Sequence, residues 1–166
     1  MVKIFIPSYH RPHNIKTVNY MLSMGWQAKD LYVFIDSEAD DKEEYKSMAE
    51  LQGFNLIVFD MEEARARYDY VHRASTSRRS AGQARNMFQD YAMEHGIDFY
   101  CVMDDDTQNF QVKRHGIYQR MATTEDIRDT FDAIEDFMRR KKIGLFGLSQ
   151  TGDVYGIHDM LLRKKV

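Results

Sequence analysis

The sequence predicts an α/β fold, a three-layer sandwich built on a mostly parallel central sheet. Three observations lead there. Short apolar runs alternate with stretches of helical spacing through most of the chain. Phe99-Tyr100-Cys101-Val102-Met103 is apolar without alternation, the pattern of a strand covered on both faces in the middle of a parallel sheet. That run stops at Asp104-Asp105-Asp106, and ligands of open α/β sheets lie outside the carboxyl ends of the strands.

Each element has its own signal. Residues 2–6 read as a first strand, closed by Pro7, which cannot donate to a ladder. Pro12 suits the first position of a helix carrying Ile15, Val18, Met21 and Leu22 at helical spacing, with Gly25 as its stop. Residues 31–35 form a second strand, which runs into the acidic loop 36–41. A short helix follows, with Tyr45, Met48 and Ala49 inward and Gly53 at its end. Residues 55–59 are the third strand. Residues 60–79 read as a long loop, and loops of that length are usually functional or mobile. Ser80 suits the cap of a helix with Ala81, Ala84, Met87, Phe88, Tyr91 and Ala92 on one face, ended by Gly96. The fourth strand delivers the aspartates. Residues 108–122 suggest an irregular strand or hairpin. Thr123 or Thr124 caps a helix with Ile127, Phe131, Ile134, Phe137 and Met138 inward, and its basic end suits the macrodipole. Residues 143–148 read as a fifth strand, 149–156 as a glycine-containing loop, and 158–166 as a short basic stretch.

Composition narrows the function. A length of 166 residues suits one domain with a real core. Hydrophobic content of 43% with 30% charged residues is that of a soluble globular chain. The single cysteine, Cys101, excludes an internal disulfide and reads as a small core residue. No run approaches the roughly 20 apolar residues of a membrane span, and the N-terminus lacks signal-peptide architecture. A cytoplasmic location is the expectation. A net charge of −3 provides no global attraction to nucleic acid or anionic membrane.

Right-handed crossovers put the loops after each parallel strand on one edge. That edge gathers residues 7–11, 36–41 and 104–106. Three adjacent carboxylates repel one another and call for something positive. A hard divalent cation takes oxygen ligands and shares them with substrate phosphates, so a metal–phosphate site is expected there. The plain alternative is an acidic turn that ends a strand in water.

Four motifs in order carry a family resemblance. They are Ile6-Pro7-Ser8-Tyr9-His10-Arg11-Pro12, Ile35-Asp36-Ser37-Glu38-Ala39-Asp40, Ala84-Arg85-Asn86 and Met103-Asp104-Asp105-Asp106. Together they resemble the nucleotide-sugar glycosyltransferases of the GT-A fold, family 2-like, over residues 2–110 with weaker continuation to about 150. The resemblance implies a donor-binding part at 1–107 and a partial acceptor-side part at 108–166 of a single domain. It implies that Asp36 accepts a hydrogen bond from the nucleotide base, and that Pro7, Tyr9 and Arg11 line the base and ribose pocket. Arg85 would lie near the ribose or diphosphate, Asp104 would face the ribose or a metal-bound water, and Asp106 would bind Mn²⁺ or Mg²⁺. Asp105 is expected to accept backbone or arginine hydrogen bonds. UDP is the implied nucleotide.

The acceptor side departs from that family. Its base normally lies on a later acidic motif, and here Asp153 and Asp159 are the remaining candidates, with His158 as a further metal ligand. A non-catalytic or truncated nucleotide-sugar-binding module is therefore an alternative. A phosphatase of the haloacid dehalogenase type is another, but its motif normally lies on the first strand and its threonine one place later than Thr107. The acceptor is open between a glycan, a small molecule and modified DNA, as in phage enzymes that glycosylate modified bases. Six arginines between 65 and 85 against one acid, Asp69, motivate the DNA reading.

Overall fold

The computed structural model describes residues 2–67, 81–114 and 118–148. The chain falls into two compact units, Met1–Gln108 and Asn109–Val166, each taken by itself.

The first unit is a three-layer α/β sandwich. Four strands, β1 (Lys3–Pro7), β2 (Leu31–Asp36), β3 (Asn55–Phe59) and β4 (Tyr100–Val102), form a sheet in the order β3-β2-β1-β4. All three pairings are parallel, with Pro7 opposite Phe34, Asp36 opposite Phe59, and Phe5 opposite Val102. The helices are α1 (Lys16–Ser23), α2 (Lys42–Gln52), α3 (Met61–Arg67) and α4 (Ala81–Glu94).

Alternation along β1 and β2 explains the layers. Phe5 and Phe34 point to one face, Ile4, Ile6, Val33 and Ile35 to the other, and all six are buried. Phe5 centres the first face. Its ring stacks on Tyr100 at 4.5 Å and meets Phe34 at 5.0 Å and Phe88 of α4 edge-on at 5.6 Å. Met61 and Ala64 of α3 and Ala84 and Ala92 of α4 complete that cluster. Beyond the sheet, Val18 and Met21 of α1 and Tyr45 of α2 are fully buried. Gly53 at φ 80° ends α2 in the left-handed region that a side chain would resist.

Four expectations need correction. The helix expected from Pro12 begins at Lys16, because Arg11-Pro12-His13-Asn14 makes a turn closed by Asn14 N–H donating to the Arg11 carbonyl at 3.0 Å. Proline at the second position of such a turn is preorganised for it. The loop expected at 60–79 begins as helix α3. There Asp60 Oδ1 accepts from the backbone of Glu62 and Glu63 at 2.8 and 3.0 Å and so acts as an N-cap. Residues 68–80, with the Ser80 cap, lie outside the described residues. β4 is only three residues long and is the end strand among the described residues, with Val102 40% exposed. It is therefore not covered on both faces. Finally, residues 143–148 are irregular rather than a fifth strand. Gly144 and Gly147 weaken strand pairing there, and Leu145 is 87% exposed.

The second unit contains an antiparallel hairpin, β5 (Gln111–Arg114) with β6 (Tyr118–Met121), and α5 (Thr124–Lys141). Thr123 and Asp126 form a reciprocal capping box at the start of α5. Arg120 grips the same Asp126 carboxylate with two bonds, at 2.5 and 2.8 Å. Together these donors hold the Asp126 carboxyl well below its usual range. Phe110 meets Phe131 edge-on, which ties the hairpin's start to the helix.

Candidate active site

Parallel pairing puts every loop that follows a strand on one rim of the sheet. The pairing also continues past the strands. Ser8 N–H donates to the Phe34 carbonyl at 3.0 Å, Ser37 N–H to Phe59 at 2.8 Å, and Met103 N–H to Phe5 at 3.0 Å. The loops after β1, β2 and β4 are thus pinned to the same edge. Asp36 and the turn 104–106 share that edge, although no hydrogen bond joins them among the described residues.

The three adjacent aspartates separate into three environments. Asp105 turns inward, its side chain 15% exposed, and accepts from Ser8 Oγ at 3.0 Å and from the Arg11 guanidinium at 2.9 Å. Asp104 pairs with Arg85 of α4 at 2.5 Å. Asp106 is exposed and has no hydrogen bond or ion pair among the described residues. Among the described residues, three carboxylates against two guanidiniums leave one negative charge, on Asp106.

Thr17 of α1 holds the turn from behind. Its hydroxyl donates to the Asp104 carbonyl and accepts from Thr107 N–H at 3.0 Å. Its own N–H donates to the Asp105 carbonyl at 3.3 Å. Thr17 is fully buried, so its own hydroxyl and N–H have no water to fall back on.

Asp36 leaves the end of β2 half-buried. Its Oδ1 accepts from Glu38 N–H at 2.9 Å, which tightens the loop. Burial raises its pKa, and the Glu38 and Ala39 backbone and the Arg65 charge only partly oppose this. Arg65 itself is held by Glu38 through two bonds, at 3.0 and 3.3 Å. Pro7 ends β1 at the rim. Tyr9 is partly exposed, with its ring 3.8 Å from that of His10. His10 has a φ of 52°, uncommon for a residue with a side chain.

A second polar group lies on this rim. His10 Nδ1 is 3.3 Å from Asp40 Oδ1 and 3.3 Å from Asp41 Oδ2, and a metal ligand set can be drawn from these three. Hydrogen bonding alone also accounts for their closeness. Asp153, Asp159 and His158 lie outside the described residues.

Tyr45 and Thr17 were not read as site residues from the sequence. Tyr45 has the sequence pattern of core on an amphipathic helix, and nothing in the pattern marks Thr17. The available signal was a hydroxyl on a buried helical face, since such groups must find partners.

A family model described as TET-Associated Glycosyltransferase matches residues 2–150. No curated protein matches the chain significantly.

Two outcomes follow from this geometry. Thr17→Val keeps the shape but removes the hydroxyl that bonds both the Asp104 carbonyl and the Thr107 N–H, leaving that N–H with the long bond to the same carbonyl at 3.4 Å, so it should cost about 1–3 kcal/mol in urea unfolding. A loss below about 0.5 kcal/mol, the size of an ordinary surface change, would contradict the buried hub. Asp36 has a raised folded pKa, so its favourable contribution is complete at low pH and is lost as pH rises through that value. Asp36→Asn should therefore raise the Tm at pH 7. The gain should vanish near about pH 3, below the ordinary carboxylate range. A gain that persists at the acid end would contradict the desolvation account.

Proposed function

The chain belongs to the TET-associated glycosyltransferase family, and on that premise we propose that it transfers a sugar from a nucleoside-diphosphate sugar, with a divalent cation, to an acceptor hydroxyl. The observation that carries this reading is the contact between two sequence-distant motifs on one rim, Arg85 with Asp104, beside Asp106, which has no partner among the described residues.

The residues divide the work by their chemistry. Asp36 accepts an N–H from the base, and its desolvated carboxylate gains most from such a donor. Pro7, Tyr9 and Arg11 border the base and ribose. The Arg85 guanidinium, partly exposed, is suited to the paired oxygens of a diphosphate. Asp106, with Asp104 beside it, would hold Mn²⁺ or Mg²⁺. When bound, the cation supplies charge neutralisation for the departing diphosphate. Asp105 keeps the turn in shape rather than touching the donor, because Ser8 and Arg11 already occupy both of its oxygens. Uridine is the proposed base, by resemblance.

Among acceptors, we favour modified DNA. The family is described as TET-associated, and a hydroxyl carried on a DNA base would be the alcohol such a transfer needs. The arginine excess contributes less than its sequence suggested. Arg65, Arg67 and Arg85 are ion-paired with Glu38, Asp90 and Asp104. His72, Arg73, Arg78 and Arg79 lie outside the described residues.

Calorimetry with UDP and Mn²⁺ tests the donor site. The wild type should bind UDP more tightly with Mn²⁺ than without. Asp106→Ala should lose that metal-dependent gain, a weakening of about tenfold or more. Its stability should stay within about 0.5 kcal/mol of wild type, because Asp106 is exposed and unpartnered among the described residues. Unchanged metal-dependent affinity in the variant would refute the assignment.

A further inference from the structure

We propose that the Tyr45 hydroxyl is the positioning group of the donor site, bracing Ser8 and Arg11 of the loop after β1, which in turn hold Asp105 of the acidic turn after β4, so that the nucleotide and cation halves are held as one piece. The proposal rests on the nucleotide-sugar reading for its functional consequence, but its structural part stands on the hydrogen bonds alone.

The bonds form a chain with only one consistent direction. Ser8 Oγ donates its single proton to Asp105 Oδ2 at 3.0 Å, since the carboxylate accepts. Tyr45 must therefore donate to Ser8 Oγ, from which it lies 2.8 Å away. Arg11 N–H then donates to the Tyr45 oxygen at 3.0 Å. Each hydroxyl thus gives one bond and takes one. Arg11 closes the circuit from its other end, because its guanidinium donates to Asp105 Oδ1 at 2.9 Å. Tyr45 is fully buried and Ser8 nearly so, which makes the bonds strong while complete and costly when broken. Burial also raises the Tyr45 pKa, so the phenol keeps the proton it donates.

The position of Tyr45 in the chain adds to the case. It lies in the first turn of α2, and its N–H donates to the Asp41 carbonyl at 3.2 Å. Tyr45 therefore joins the loop after β1, through its hydroxyl, to the end of the loop after β2, through its backbone, and Ser8 and Arg11 carry the connection on to Asp105 in the turn after β4. The Asp105 backbone is in turn held by Thr17, whose hydroxyl also takes Thr107 N–H. Loss of the Tyr45 hydroxyl should loosen the β1 loop first and then the turn that presents Asp106.

Tyr45→Phe removes the hydroxyl and keeps the ring. Trp26→Phe is the control, since it removes a buried bond to the Val2 carbonyl at the opposite rim. Amide hydrogen exchange without ligand is the first readout, and UDP binding with Mn²⁺ is the second. In Tyr45→Phe, exchange should quicken at Arg11 and also at Thr17 and Thr107, while Trp26→Phe leaves those amides protected. UDP with Mn²⁺ should bind about tenfold more weakly to Tyr45→Phe and within about twofold of wild type to Trp26→Phe. Unchanged exchange at Thr17 and Thr107 overturns the proposal whether or not UDP binds. Equal loss of UDP affinity in both variants also overturns it, since that is general destabilisation. Spread of exchange in a protein whose wild type binds no UDP upholds the positioning and rejects the nucleotide-sugar reading instead.

Discussion

Three neighbouring carboxylates cannot occupy one turn unless their charges are separated or matched. That constraint organises the rim of this sheet. Asp105 is drawn inward by Ser8 and Arg11, Asp104 is drawn sideways by Arg85, and Asp106 remains outside. The inward carboxylate fixes the backbone, and the outward one carries the remaining charge. A turn with only one of these features would be either inert scaffold or a mobile acidic loop. Thr17 and Tyr45 supply the uncharged half of the same device, by satisfying the backbone and hydroxyl groups that the turn buries.

Much of this was legible in the sequence, and for identifiable reasons. The strands carry apolar runs closed by Pro7, Asp36 and Asp104, so the parallel sheet and its polar rim follow from pattern alone. The second unit's hairpin and capped helix also announced themselves, the helix through Thr123 and its apolar stripe. What misled was local similarity of signals. An apolar run is the same whether a strand is central or terminal, so 99–103 suggested a covered position that β4 does not occupy. Residues 143–148 are apolar enough for a strand, but two glycines and an exposed Leu145 leave them irregular. Asp60 caps a helix at the start of the stretch read as a long loop, because seven residues are too few to show a helical period in the sequence.

The site itself was legible only at its charged points. Asp36, Arg85 and the acidic triplet stand out by type and by order. Their supports do not, because a buried tyrosine and a buried threonine look like ordinary filling of a helix face until the hydrogen bonds are seen. Stability and function also pull against each other here. Asp36 is half-buried against its electrostatic interest, and His10 holds a left-handed backbone beside two carboxylates. Such residues are tolerated where a ligand recovers the cost. The proposed cation place at Asp106 rests on the charge balance of the triplet, and the His10–Asp40–Asp41 group is the other set of side chains on the rim from which a ligand set can be drawn.

Anomalous diffraction from crystals of the protein grown with UDP and Mn²⁺ distinguishes these places directly. The account predicts a manganese peak in coordination contact with the Asp106 carboxylate and bridging to the diphosphate. A peak held by His10, Asp40 and Asp41 instead, or bound UDP with no manganese near the acidic turn, would contradict it.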